Sequence, residues 1–234
     1  MNQAPPQPVA FFDFDGTLTW GDTLMPFLRF AVGAPAYYAR LAWLSPVLGA
    51  YAAGLLRNDI AKQIVLKRYL AGHAMAELQA CGRRFAAEAI PAMLCPSGMA
   101  QLDWHQARGH ECVLVSASLD IYLAPWAAQA GFSRVICSSL AQTAHGRVTG
   151  RLAGRNCHGA EKARRIAPLV ARAAPATTYA YGDTEGDLPM LQLVETGLMR
   201  RKRRRPPPDA DSADVFSPHC WQRIAHVSGT HSAE

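Results

Sequence analysis

The 234-residue sequence predicts an α/β fold, a Rossmann-like doubly wound parallel sheet interrupted early by a small inserted α-helical cap. Three observations carry that expectation. The apolar run Val9-Ala10-Phe11-Phe12 ends on Asp13-Phe14-Asp15-Gly16-Thr17, a strand that opens into an acidic turn. Residues 20–92 then carry apolar side chains at helical spacing, and from Cys95-Pro96-Ser97 onward helix and strand patterns alternate, as they do around a parallel sheet. With 50% hydrophobic and 18% charged residues, the chain has the makeup of a packed globular protein.

The elements follow in order. Residues 1–8 hold Pro5, Pro6 and Pro8 with no cationic start and no apolar segment, so they read as a loose leader and not as a signal peptide. Asp22 is placed to cap a helix over residues 23–32, where Leu24, Phe27, Leu28 and Ala31 share a face. Residues 34–56 are unusually apolar. Their uncharged part, 41–56, contains Pro46 and is shorter than the roughly 20 residues that a membrane-spanning helix requires. It is read as a buried helix pair broken near Ser45-Pro46, with a lipid-touching surface hairpin as the alternative, because its aromatics and the flanking Arg40 and Arg57 suit an interface.

Asn58 can cap a helix over residues 59–70, which sets Ile60, Ile64 and Leu66 against Lys62, Lys67 and Arg68. A further helix spans about 73–90. Beyond it come a helix (97–107), a buried strand (112–116), a helix (120–130), a strand (135–138), a rim hairpin (143–152), a helix carrying Lys162 (159–171), a strand (177–181) and a helix begun at Asp187 (188–195). The expected division is a core of residues 1–19 and 93–197, a cap of residues 20–92, and a basic, proline-rich flexible tail of residues 198–234.

The formal charge of +6 does not describe the body of the protein. Six of the 24 basic residues form the run Arg200-Arg201-Lys202-Arg203-Arg204-Arg205, and the other 18 equal the 18 acidic residues. No basic face for nucleic acid is implied. The run reads as a solvated tail, with anionic lipid as a second reading and nucleic acid as a third. Six cysteines without a CxxC pair fit a reducing cytoplasm, and His73, His105 and His145 show no metal spacing and are expected at the surface or in loops. His158 reads as a turn residue.

The chemistry starts at Asp13 and Asp15. At the carboxyl end of a strand in an open α/β sheet they stand where ligands bind, and two acids left side by side repel unless a cation separates them. Asp13-Phe14-Asp15-Gly16-Thr17 resembles the first motif, DxDGT, of the haloacid-dehalogenase-like phosphohydrolases. Leu114-Val115-Ser116-Ala117-Ser118 resembles the second, Lys162 in Gly159-Ala160-Glu161-Lys162 the third, and Gly182-Asp183-Thr184-Glu185-Gly186-Asp187 the fourth. The order of all four, with a helical insertion after the first, is most similar to the phosphoserine-phosphatase-like branch.

That resemblance implies roles. Asp13 would be the nucleophile that forms an aspartyl phosphate, and Asp15 the general acid and base. Dehalogenase relatives lack the second acid, so Asp15 favours a phosphatase or mutase. Mg²⁺ would be held by Asp13, the main-chain carbonyl of Asp15 and Asp183, with Asp187 beside them. Ser116 and Ala117 would bind phosphate, and Lys162 would offset the crowded acids. Asp22 sits where that branch reads the substrate amine with a glutamate. The apolar cap is similar in character to that of phosphatidylglycerophosphatase C, which implies an amphiphilic phosphate ester and a peripheral membrane contact. The expected activity is therefore a Mg²⁺-dependent phosphomonoesterase acting on a small or amphiphilic organic phosphate. The alternatives are a membrane-associated lipid phosphate phosphatase, or a non-catalytic membrane- or RNA-binding protein that keeps the fold.

Overall fold

The computed structural model describes residues 7–201 and 220–224. Its strands are β1 (Val9–Phe12), β2 (Glu111–Leu119), β3 (Arg134–Ser138), β4 (Leu140–Gln142), β5 (Val148–Leu152), β6 (Thr178–Gly182), β7 (Thr196–Arg200) and β8 (Trp221–Ile224). Six of them make one sheet in the order β3-β2-β1-β6-β7-β8, parallel except for the antiparallel β8. β4 and β5 pair separately as the expected rim hairpin. From β1 the chain builds outward through β2 and β3, then crosses back to lay β6 on the other side of β1. That reversal creates a crevice at the carboxyl ends of β1 and β6.

Period-two alternation sorts the strand side chains onto two covered faces. Ala10 and Phe12 join one cluster with Leu114, Trp126 and Tyr181, while Val9 and Phe11 join another with Val113, Val115, Ile166 and Met190. The first face packs against α5 (Pro96–Gln106) and α6 (Asp120–Gln129), and the second against α7 (Ala160–Ala173) and α8 (Leu188–Leu193).

Four helices separate β1 from α5: α1 (Leu24–Val32), α2 (Ala34–Ala52), α3 (Asn58–Leu70) and α4 (Met75–Glu88). Phe27 and Phe30 on α1, Phe85 on α4 and Tyr122 on α6 form one aromatic group, which seats the insertion on the sheet-bearing part. Contact there is close: a side chain at Gly82 would stand 2.1 Å from the carbonyl oxygen of Ile121. The chain enters and leaves the insertion through adjacent segments. Thr19 bridges Leu94, the Trp20 N–H donates to Met93 (2.9 Å) and the Cys95 N–H to Leu18 (2.8 Å).

Several expectations are corrected. α2 is one helix, not a pair broken at Pro46. Proline cannot donate to the carbonyl of Ala42, and the Ser45 hydroxyl takes that place at 2.9 Å. Nor is α2 buried: Tyr37 and Leu44 face inward, while Trp43 is 62% exposed and Leu55, just beyond the helix, 82%. Among the described residues no helix is long and apolar enough to cross a membrane. Asn58 makes no cap bond and instead meets Tyr51 and Asn156. The stretch assigned to a tail begins inside the sheet, since β7 runs to Arg200 and β8 adds a further strand. The remaining basic residues, 202–205, the proline-rich tract after them and leader residues 1–6 lie outside the described residues.

His105 is likewise no surface group. It is fully buried, with Nε2 2.9 Å from the Tyr181 hydroxyl and Nδ1 2.8 Å from Nδ1 of His110. Burial, then the nearby His110 and Arg108, push its pKa down to about 4. A histidine that binds its proton more weakly when folded costs stability as pH falls from about 6.5. Urea unfolding of the wild type is therefore expected to show a loss of stability between about pH 6.5 and 4, part of which disappears in His105→Gln.

Candidate active site

Strand register assembles the site. Phe12 pairs with Leu114 on one side and Tyr181 on the other, so β1 and β6 end at nearly one level while β2 runs on past it to Leu119. The residues just past that level are Asp13, Ser116 and Asp183. The Asp13 N–H donates to Tyr181 at 2.9 Å and locks the nucleophile candidate to the neighbouring strand end. Gly16 follows in a left-handed turn with φ of 81°, and a Cβ there would lie 2.1 Å from Oδ2 of Asp183. Only glycine allows the two motifs to touch.

Lys162, on the first turn of α7, is 2% exposed and points into this acidic cluster. Its Nζ lies 2.5 Å from Oδ1 of Asp13 and 2.6 Å from Oδ1 of Asp187. Burial opposes its charge, but the two carboxylates hold the ammonium above the usual lysine range. The two acids differ in their other partners. Asp13 has the Thr17 hydroxyl at 3.3 Å; burial and the charge of Asp187 push its carboxyl well above the ordinary range, with Lys162 offsetting part. Asp187 also accepts from the N–H groups of Asp183 and Thr184 and from the Thr184 hydroxyl. Burial works against it too, yet Lys162 and these donors hold its carboxyl below the ordinary range. Asp187 thus closes a capping box back onto Thr184 and makes no side-chain cap to α8.

Asp15 does not join this cluster. Its carboxylate turns toward the insertion, accepting from the Thr23 N–H (2.7 Å), the Thr23 hydroxyl (2.6 Å) and the Ser118 hydroxyl (2.5 Å). Burial and then the charge of Asp22 raise its pKa to about 6, against the pull of those donors. Asp22 lines the same cleft while accepting from the Met25 N–H at 3.0 Å, so it is both a helix cap and a cleft residue. Ser116 and Ala117 line the cleft as well, with Oγ of Ser116 accepting from the Ser118 N–H.

The cleft measures about 880 Å³ and contains every candidate residue named from sequence. In its walls and beside it stand groups to which sequence alone assigns no part in the site. Lys62 reads as part of a polar helix face, but its Nζ reaches the Ala117 carbonyl and Oδ1 of Asn156 (2.9 Å), with burial lowering its pKa to about 8 against the charges of Asp15 and Asp22. His158 is in the wall, close enough that a Cβ at Gly186 would stand 2.5 Å from its Nε2. Trp20 and Arg200 complete one side. A cation in the second turn of α3 and an arginine ending a strand are the available signals, and neither has a motif around it.

The acidic cluster fits a divalent cation. One carboxylate oxygen each from Asp13, Asp183 and Asp187 lie within 4.8 Å of one another. Their three negative charges face the single charge of Lys162, an excess that a hard, oxygen-seeking dication neutralises.

Comparisons with known proteins identify the family. The family model for haloacid dehalogenase-like hydrolases matches residues 10–192. The chain belongs to that family. It is 34% identical to Protein CicA of Caulobacter vibrioides over 83% of this chain and 86% of that one. Phosphoserine phosphatase SerB1 of Mycobacterium tuberculosis is 28% identical over 81% of this chain and 63% of its own length. Among solved structures, a Bordetella pertussis protein of unknown function superposes with a TM-score of 0.68 and 28% identity, covering 80% of this chain and 87% of that one. A phospho-aspartyl intermediate analogue of phosphoserine phosphatase shares the fold, with a TM-score of 0.59 and 16% identity over 82% and 84% of the two chains.

In this hydrolase Lys162 is the only cation in contact with Asp13 and Asp187 among the described residues. Lys162→Met leaves those acids buried without a counter-charge, a class of change that costs about 3–5 kcal/mol. Urea unfolding without divalent ions is expected to show that loss at pH 8 and a smaller one at pH 5, where protonation relieves the repulsion.

Proposed function

We propose that this hydrolase is a Mg²⁺-dependent phosphomonoesterase working through an aspartyl phosphate on Asp13. The observation that carries the reading is the meeting of Asp13, Asp183, Asp187 and Lys162 at one sheet edge, with Asp15 held separately. When bound, Mg²⁺ supplies positive charge against the phosphoryl oxygens, and Asp13, Asp183, Asp187 and the main-chain carbonyl of Asp15 are the groups that would hold it.

The protein's own groups then account for the chemistry. A carboxylate oxygen of Asp13 attacks phosphorus as the bond to the leaving oxygen breaks, and Asp15 gives that oxygen its proton. A pKa near 6 suits this, because an acid so placed retains a proton in part of the molecules near neutrality and is ionised in the rest. In the second half Asp15 takes a proton from water as the water oxygen attacks phosphorus. The bond to Asp13 breaks, releasing inorganic phosphate and the free carboxylate. Ser116 and the main chain at Ala117 orient the phosphoryl group, and Lys162 favours the ionised form of Asp13 and aims it. A generic aryl phosphate is expected to turn over with Mg²⁺ and to stop on EDTA addition. Asp13→Asn is expected to lower kcat by at least about 10³-fold, as removal of a nucleophile does; a wild type inert toward every phosphomonoester tested would end the reading.

The substrate class follows from the walls. The names of relatives include phosphoserine phosphatase and histidinol-phosphatase, both acting on small phosphate esters, and a small phosphomonoester fits this cleft too. An amphiphilic ester presented at a membrane surface is the second reading, favoured by α2. Pro35, Tyr38, Ala42, Trp43, Pro46 and Gly49 form an exposed helical stripe without one charge, whereas residues 24–70 carry, besides the inward-turned Lys62, five basic side chains against Asp59 alone. Such a face suits an anionic interface, with Trp and Tyr at headgroup depth and arginines on phosphates. Arg68 lies 4.5 Å over Trp43 and Arg29 5.6 Å over Tyr38, so the cations already sit beside the aromatics. Co-sedimentation with vesicles containing phosphatidylglycerol is expected for the wild type and not for Trp43→Glu, with turnover of a soluble aryl phosphate equal in both. Equal recovery of the two proteins in the supernatant would leave the small-ester reading alone.

A further inference from the structure

Arg200 lies past residue 192, where the family match ends, and in a run that reads from sequence as a solvated tail. It is the last residue of β7 and only 6% exposed. A charged side chain is brought that far from water only where acceptors are built for it. Its Nη1 donates to the carbonyl oxygens of Gly16 and Thr19 (3.2 Å to the latter), and its guanidinium lies 4.9 Å over the Trp20 ring. All three partners belong to the turn that follows Asp13 and Asp15.

That turn is wound tightly around one acceptor. The carbonyl of Phe14 receives the N–H groups of Thr17, Leu18 and Thr19 and the Thr19 hydroxyl, while the Gly16 N–H donates to Oγ1 of Thr19. The inward bonds close the turn on itself, and Arg200 grips the outside. Two things depend on where the turn lies. Gly16 is packed against the Asp183 carboxylate so closely that no Cβ would fit between them, so a shift of the turn displaces an acid of the cation site. Thr19 and Trp20 are also the first residues of the paired segment leading into the helical insertion, bonded across to Leu94 and Met93.

We propose that Arg200 is a positioning residue, which by holding Gly16, Thr19 and Trp20 sets the distance between the Asp13–Asp15 turn and Asp183, and so the affinity of the site for its dication. The proposal rests on the cation-dependent reading of that site. Lysine does not replace it, because one ammonium on a flexible stem lacks the planar fork and the ring-stacking face.

The test is isothermal titration of Mg²⁺ into the full-length wild type, Arg200→Ala and Arg200→Lys. Loss of a group that orients metal ligands typically weakens binding about 10–100-fold. Arg200→Ala is expected to bind Mg²⁺ at least about 10-fold more weakly than the wild type, with Arg200→Lys between them. Millimolar guanidinium ion is expected to recover part of the affinity of Arg200→Ala and to leave the wild type unchanged. Affinity within twofold of the wild type overturns the proposal even if the variant is less stable, since unfolding lowers the number of sites and not the affinity of those that remain. If Arg200→Ala does not fold, Arg200→Lys decides the matter by the same twofold criterion. A wild type that takes up no Mg²⁺ overturns the cation reading, and this proposal with it.

Discussion

Like charges crowded at the mouth of a sheet are the constraint to which the rest of this structure answers. Asp13 and Asp183 arrive there because β1 and β6 end at the same level, and Asp187 because a short turn folds back on Thr184. Left alone they would repel one another in a poorly solvated crevice. Lys162 spans two of them from α7, which explains why a lysine is carried fully buried on a helix whose outer positions hold ordinary solvated bases. Repulsion is reduced and not removed, and the remaining negative charge is what makes the crevice receptive to a metal ion.

The second acid of the first motif is set apart physically. Two residues beyond Asp13, Asp15 leaves the cluster and ends among Thr23, Ser118 and Tyr122, where the insertion meets the sheet. Neighbouring carboxylates in one short turn thus acquire different environments, one beside an ammonium and one among hydroxyls. Groups that must perform different acid and base work are separated in this way. The insertion consequently does more than roof the cleft: through Thr23 it touches the proton-transfer candidate directly.

Much of this is legible in the residues. Motif order locates Asp13, Ser116, Lys162, Asp183 and Asp187, because each sits where a strand signal gives way to polar residues or a helix signal begins. Helical spacing finds the helical character of the insertion throughout, although it divides α2 in two. What stays hidden depends on tertiary context. Pro46 reads as a break, although a neighbouring serine hydroxyl can repair the ladder. His105 and Lys62 carry nothing in their local sequence to show that a distant tyrosine or a loop carbonyl would bury them. Arg200 is masked by composition, since five further basic residues follow it and only a strand partner reveals that the first belongs to the sheet.

The adjacent entry and exit of the helical insertion have an evolutionary corollary. Residues 18–20 and 93–95 lie side by side as a narrow two-stranded ribbon, so the span between them begins and ends at nearly one point. A segment attached in that manner can be lengthened, shortened or exchanged as a cassette without altering the strand register beneath it. Lineages of such enzymes can accordingly change what they accept while inheriting their reaction centre intact.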